Sequence, residues 1–209
     1  MTYLDHFRKA SEFNWNLVQL SPFANFTTGN WTPRNTSNCD KIRGYALGLL
    51  DNADLEDLEF KCAHITIGLK QKILERGMSD GFSVKKWITV GDVQDSSGKS
   101  AFRLTEQKID QWVKDKSSGG KGAEGSDRLF HVWLTTEYGD IYDLTYFASY
   151  SNPPRKMPVI GDAEKIAEPH VHGLHYIPMG FGLEFLAAIG AIKLSEFKQQ
   201  YSNFSFAFS

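Results

Sequence analysis

Two short runs rich in β-branched and aromatic residues, Phe130 to Thr136 and Ile141 to Thr145, are separated by Glu137-Tyr138-Gly139. This spacing predicts a β-hairpin and, through its loop length, a register. A three-residue loop places its last residue in the left-handed region, where glycine meets no steric penalty, so Gly139 selects that version. Thr136 then lies opposite Asp140 and Trp133 opposite Asp143. Alternate strand residues share a face, so His131, Trp133 and Thr135 point one way. Asp143 joins that face, diagonal to His131. A two- or four-residue loop would turn it to the other side.

The rest of the chain reads as helices and strands around this hairpin. Leu4, Phe7, Phe13, Leu17 and Leu20 follow a loose helical pattern in residues 1–20, and residues 21–38 are turn-rich. A helix is expected from Asp40 to Leu50, and another through Cys62 to Glu75 with Gly77 as its stop. Trp87 to Val90 read as a strand. Ser100 is expected to cap a helix of Ala101 to Lys114 that turns Phe102, Ile109, Trp112 and Val113 inward. Residues 115–127 hold four glycines and three serines. They read as a flexible excursion leading into the His131 strand, either a lid or a plain connector. A Pro/His segment spans 153–178, and a last helix is expected near Leu183 to Tyr201.

The predicted fold is α+β, one domain of 209 residues. A nucleophile helix packs on a small, mainly antiparallel sheet within residues 58–147. Residues 1–57 form an N-terminal helical extension and residues 148–209 a C-terminal one. Hydrophobic residues at 41% supply enough material for a core. The net charge of −2 is scattered, which argues against a nucleic-acid surface. The longest apolar stretch, Phe181 to Leu194, carries Glu184 and is too short for a bilayer. The first residues lack a secretory h-region, so the expected location is cytoplasmic, or exported without a classical signal. The Asn-x-Ser/Thr sequons at Asn25, Asn30, Asn35 and Asn203 read as chance matches. The two cysteines, Cys39 and Cys62, suit a reducing compartment.

Cys62, His131 and Asp143 form a candidate thiol triad. A thiolate attacks a carbonyl, an imidazole takes and returns the proton, and a carboxylate fixes the imidazole's orientation. A cysteine at a helix start also gains from the exposed N–H groups there. The competing reading is one continuous helix through Leu55, Leu58, Cys62, Ile65 and Leu69, which makes Cys62 an ordinary core residue. Cys39 is the alternative nucleophile.

In order along the chain stand Cys62, Arg76-Gly77, His131-Val132-Trp133 and Asp143-Leu144-Thr145. Over about residues 60–147 this set resembles the core of the transglutaminase-like and papain-like cysteine hydrolases. The resemblance implies a cysteine-dependent acyl transfer to or from an amide, as peptidase, amidase, deamidase or transglutaminase. Cys62 would be nucleophile, His131 general base and acid, and Asp143 orienter, with the Cys62 N–H as one oxyanion donor. It implies a protein or peptide amide substrate and no cofactor, nucleic acid or membrane partner, and leaves the oligomeric state open. Two rivals stand beside it: an inactive papain-like binding module, and a metal-binding protein using His170, His172 and His175. Gly98-Lys99-Ser100 resembles the end of a phosphate loop, but Val93 stands where that motif needs glycine.

Overall fold

The computed structural model describes residues 1–18, 30–59, 61–125 and 129–195. In chain order these form α1 (Tyr3–Val18), α2 (Thr36–Asn52), α3 (Leu55–Leu58), α4 (Cys62–Asp80), β1 (Lys86–Asp95) and α5 (Glu106–Ser117). They continue with β2 (His131–Thr136), β3 (Asp140–Asp143), α6 (Tyr146–Tyr150), β4 (Val159–Asp162), α7 (Ala163–Ala167), β5 (Leu174–Phe181) and α8 (Gly182–Ala188). The strands make one antiparallel sheet in the order β4-β3-β2-β1-β5. The chain is α+β. The hairpin takes the three-residue register, with Leu134 opposite Tyr142 and Thr135 opposite Ile141, and Gly139 has φ +79°.

The sheet is buried on both faces and divides two apolar clusters. Val132 and Leu134 of β2 face α2, α4, α5 and α8, whereas Trp133 faces a second cluster that includes Tyr3, Phe7, Trp87, Ile141, Tyr176 and Phe181. This is the two-residue period of a strand expressed as packing. A hydrogen bond from Thr66 Oγ1 to Val132 O (3.1 Å) pins α4 across β2.

The β1–β5 pairing slips between Val90 and Gly91. A Cβ at Gly91 would lie 2.0 Å from Ile177 O and 2.8 Å from the Trp133 ring. Only glycine lets the β5 backbone close in here, and an irregularity of this kind bends a sheet. The bend has a chemical result. Tyr176 of β5 hydrogen-bonds Asp143 of β3, although β1 and β2 lie between those strands in the sheet order.

Several boundaries differ from the sequence expectation. α4 runs on to Gly81, whose φ of +67° ends it. Gly77 is internal, and a Cβ there would lie 2.8 Å from Phe82 O, so glycine admits the returning chain. The next helix starts after Thr105, whose side chain accepts from Lys108 N. Phe102 is therefore outside it, in the second apolar cluster. Residues 115–125 are anchored rather than loose: Gly122 N donates to the Asp115 carboxylate (2.7 Å) and buried Ala123 N to Ile189 O (2.6 Å). The expected last helix ends early, at Ala188, with Ile189 as its cap and Gly190 at φ +80°, while 126–128 and 196–201 lie outside the described residues. The 153–178 segment supplies β4, α7 and the start of β5.

The flanks are structural parts of the core. Tyr3 OH accepts from Trp133 Nε1 (2.9 Å) and is bonded to Thr135 Oγ1 (2.7 Å), while Phe181 N donates to Asn14 Oδ1 (3.1 Å). Among the described residues, no helix is long and apolar enough to cross a membrane.

Candidate active site

Asp143 ends β3, and its two oxygens have separate duties. Oδ1 accepts from Thr145 N (2.9 Å), Thr145 Oγ1 (3.2 Å) and Tyr146 N (3.1 Å), which fastens the carboxylate to the start of α6. Oδ2 meets His131 Nε2 at 2.7 Å and accepts from Tyr176 OH at 2.8 Å. Five contacts suit a carboxylate that is 0% exposed, because a buried charge without partners is very costly. Burial pushes Asp143 up, but the His131 charge and hydrogen bond, with help from Thr145 and Tyr176, hold it below the usual carboxylate value. For His131, burial opposes the charged form. The Asp143 charge and bond outweigh it, the nearby Cys62 adds to the rise, and the imidazole is pushed up to about 10.

With Nε2 committed to Asp143, Nδ1 is the ring nitrogen left for the Cys62 thiol. The ring itself is clamped by aromatics. Phe102 stacks on it with centroids 4.6 Å apart, Trp133 lies at 6.2 Å, and Tyr146 presents an edge at 6.0 Å. Phe102 is placed by an irregular turn. Its N–H donates to Asp92 Oδ1 (3.1 Å), and Arg103 N donates to Ser100 Oγ (2.6 Å). Arg103 has φ +54° and is the one non-glycine residue at positive φ among the described residues. Backbone strain of this kind persists where surrounding structure over-determines it.

Cys62 is the first residue of α4. The continuous helix from Asp54 to Glu75 does not form, because the chain leaves helical geometry between Leu58 and Cys62. Lys61 precedes the helix without supplying a capping side chain. The first N–H groups of a helix have no acceptor within it, so the α4 start is a natural place for developing negative charge. Cys62 also belongs to the α2–α4 apolar cluster and is 4% exposed. Cys62 is thus at once a helix-start residue and a core residue.

Cys39 sits in a different setting. Its Sγ donates to Asp140 Oδ2 (3.2 Å), and Arg34 pairs with the other Asp140 oxygen at 3.1 Å. Burial, then the Asp140 hydrogen bond and charge, push the thiol up to about 11 despite Arg34. The histidine cluster is not assembled. His170 pairs with Glu168 at an exposed position, His172 lies against Phe147, and His175 is exposed in β5. Among the described residues, no three His, Cys, Asp or Glu side chains are placed to hold a metal. Gly98-Lys99-Ser100 belongs to a tight turn in which the Asp95 carboxylate takes the Ser97 and Lys99 N–H groups.

No protein-family model, curated protein or solved structure matches the chain.

The structure thus brings Cys62, His131 and Asp143 together. It adds Tyr176, Phe102 and Asp92, which the sequence reading did not select. Thr105 followed by Glu106 was a legible helix start that would have freed Phe102 from the helix. Tyr176 had no comparable signal.

Proposed function

We propose that this chain is a cysteine-dependent enzyme of papain-like or transglutaminase-like core that transfers the acyl group of an amide. The observation that carries the reading is the 2.7 Å His131–Asp143 bond, with Cys62, the first residue of a 19-residue helix, close enough to the same imidazole to act on its charge. In this reading His131, which Asp143 holds in its charged form, is the partner of the thiolate that the attack requires. Sulfur attacks the amide carbon, and the oxyanion forms near the α4 N-terminus, with the Cys62 N–H as one donor. The C–N bond breaks as His131 Nδ1 gives its proton to the leaving amine, leaving a thioester on Cys62. Water, or a second amine, then attacks the thioester while His131 takes its proton, and sulfur leaves. Asp143 keeps Nε2–H in place throughout and is not itself protonated.

A second reading, a catalytically inactive binding module on the same core, is favoured by burial: Cys62 is 4%, His131 1% and Asp143 0% exposed. A panel of fluorogenic peptide amides, with and without an amine acceptor, separates the two. Turnover that Cys62→Ala and His131→Ala each reduce at least a hundredfold is the expected result (of the order a general acid–base contributes). Cys62 that stays unacylated by every amide, in protein that binds peptide equally well as Cys62→Ala, selects the binding module.

A further inference from the structure

We infer that Tyr176 is a positioning residue for the His131–Asp143 pair, holding the carboxylate oxygen that the imidazole uses. The inference rests on the acyl-transfer reading above and extends it to β5, outside the span over which the sequence resembles a known core. The donors to Asp143 Oδ1 are local, from Thr145 and Tyr146. The two groups on Oδ2 come from elsewhere in the fold, His131 Nε2 and Tyr176 OH. His131 changes charge in every cycle and cannot serve as a constant anchor. Tyr176 can: burial and the neighbouring Asp143 charge hold its phenol far above the usual value, so it stays a neutral donor at any working pH. Its ring is fixed edge-on to Trp133 at 5.0 Å, and its strand is seated at the Gly91 close approach.

A donor on Oδ2 disperses carboxylate charge that would otherwise act on the imidazolium. Tyr176 therefore sets how strongly Asp143 holds His131 in its charged form. The other titratable groups around the pair are Cys62 on α4, Tyr146 on α6 and Tyr3 on α1, with Asp92 and Asp95 of β1 acting on Tyr146. None of these donates to Oδ2.

The experiment compares wild type, Tyr176→Phe, and protein carrying 3-fluorotyrosine at position 176 alone, a stronger donor of nearly the same size. Two quantities are followed against pH: the rate of Cys62 alkylation by iodoacetamide, and the His131 ring resonances by NMR. Tyr176→Phe is expected to move the His131 titration and the basic limb of alkylation upward by about half a pH unit, the size of one modest hydrogen bond. Fluorotyrosine is expected to move both downward. If Tyr176→Phe does not fold, the fluorotyrosine protein decides alone. A Cys62 rate that depends on His131 but shows the same pH profile in all three proteins overturns the role of Tyr176 and leaves the thiol reading intact. A Cys62 rate unaffected by His131→Ala overturns both.

Discussion

Cys39 and Cys62 lie in one apolar cluster, yet they meet opposite partners. Cys62 faces an imidazole that a carboxylate keeps cationic, and Cys39 faces a carboxylate. Iodoacetamide at neutral pH should therefore label Cys62 first, as mass mapping would show; Cys39 modified ahead of an inert Cys62 would reverse the assignment. The same pair predicts how stability follows pH. His131 binds its proton far more tightly folded than unfolded, so its contribution is complete below about 6.5 and fades as pH rises to about 10. Asp143 is held low, so its contribution is present above the ordinary carboxylate value and fades as pH falls through its lowered one. Urea midpoints should decline from pH 6.5 to 10 in wild type, and more shallowly in His131→Gln. Equal slopes would contradict the coupling. His131 and Asp143 were legible beforehand because a hairpin register is local, fixed by Gly139. Phe102 and Tyr176 were not, because no periodicity links them to His131; only an irregular turn and a bent sheet bring them there.

Among elements, two glycines stand in opposite backbone settings. Gly68 lies within α4, where an added Cβ meets nothing within 4 Å. Gly68→Ala should raise stability by about 1 kcal/mol through helix propensity and a less flexible unfolded chain. Gly139 has φ +79°, and a Cβ there would lie 2.9 Å from the Trp31 indole nitrogen. Gly139→Ala should lower stability by about 1–2 kcal/mol from the backbone conformation, before any cost of displacing Trp31. Urea denaturation of both variants tests the pair of signs, and two changes of the same sign would defeat the contrast. Gly77 and Gly81 make a similar contrast within one helix. Gly77 was expected to be the stop, but it admits Phe82 O, and Gly81 ends the helix. The strands β4 and β5 were hidden by prolines. Pro178 pairs opposite Gly91 in a strand at the sheet's end, where proline is tolerated.

For the molecule as a whole, the sequence suggested a core at 58–147 with extensions on each side. The packing makes that division unsound. One face of the hairpin is covered by α1 and β5, through Tyr3, Phe7, Tyr176 and Phe181. An isolated 58–147 fragment would leave that apolar face bare, and it should show no cooperative urea transition and little near-UV circular dichroism. A sharp transition in that fragment would restore the core-and-extensions picture. The docking of α1 also sets an order of assembly. Tyr3 N bonds the Glu164 carboxylate and Asn14 receives Phe181 N, partners 161 and 167 residues further along. Phe7 meets Trp31 and Trp87 earlier in the chain but Phe181 only once β5 has been made, the kind of distant pairing that slows folding. A chain stalled before Tyr176 has no donor for Asp143 Oδ2 but His131, so the surroundings of that carboxylate are completed only once β5 has been made.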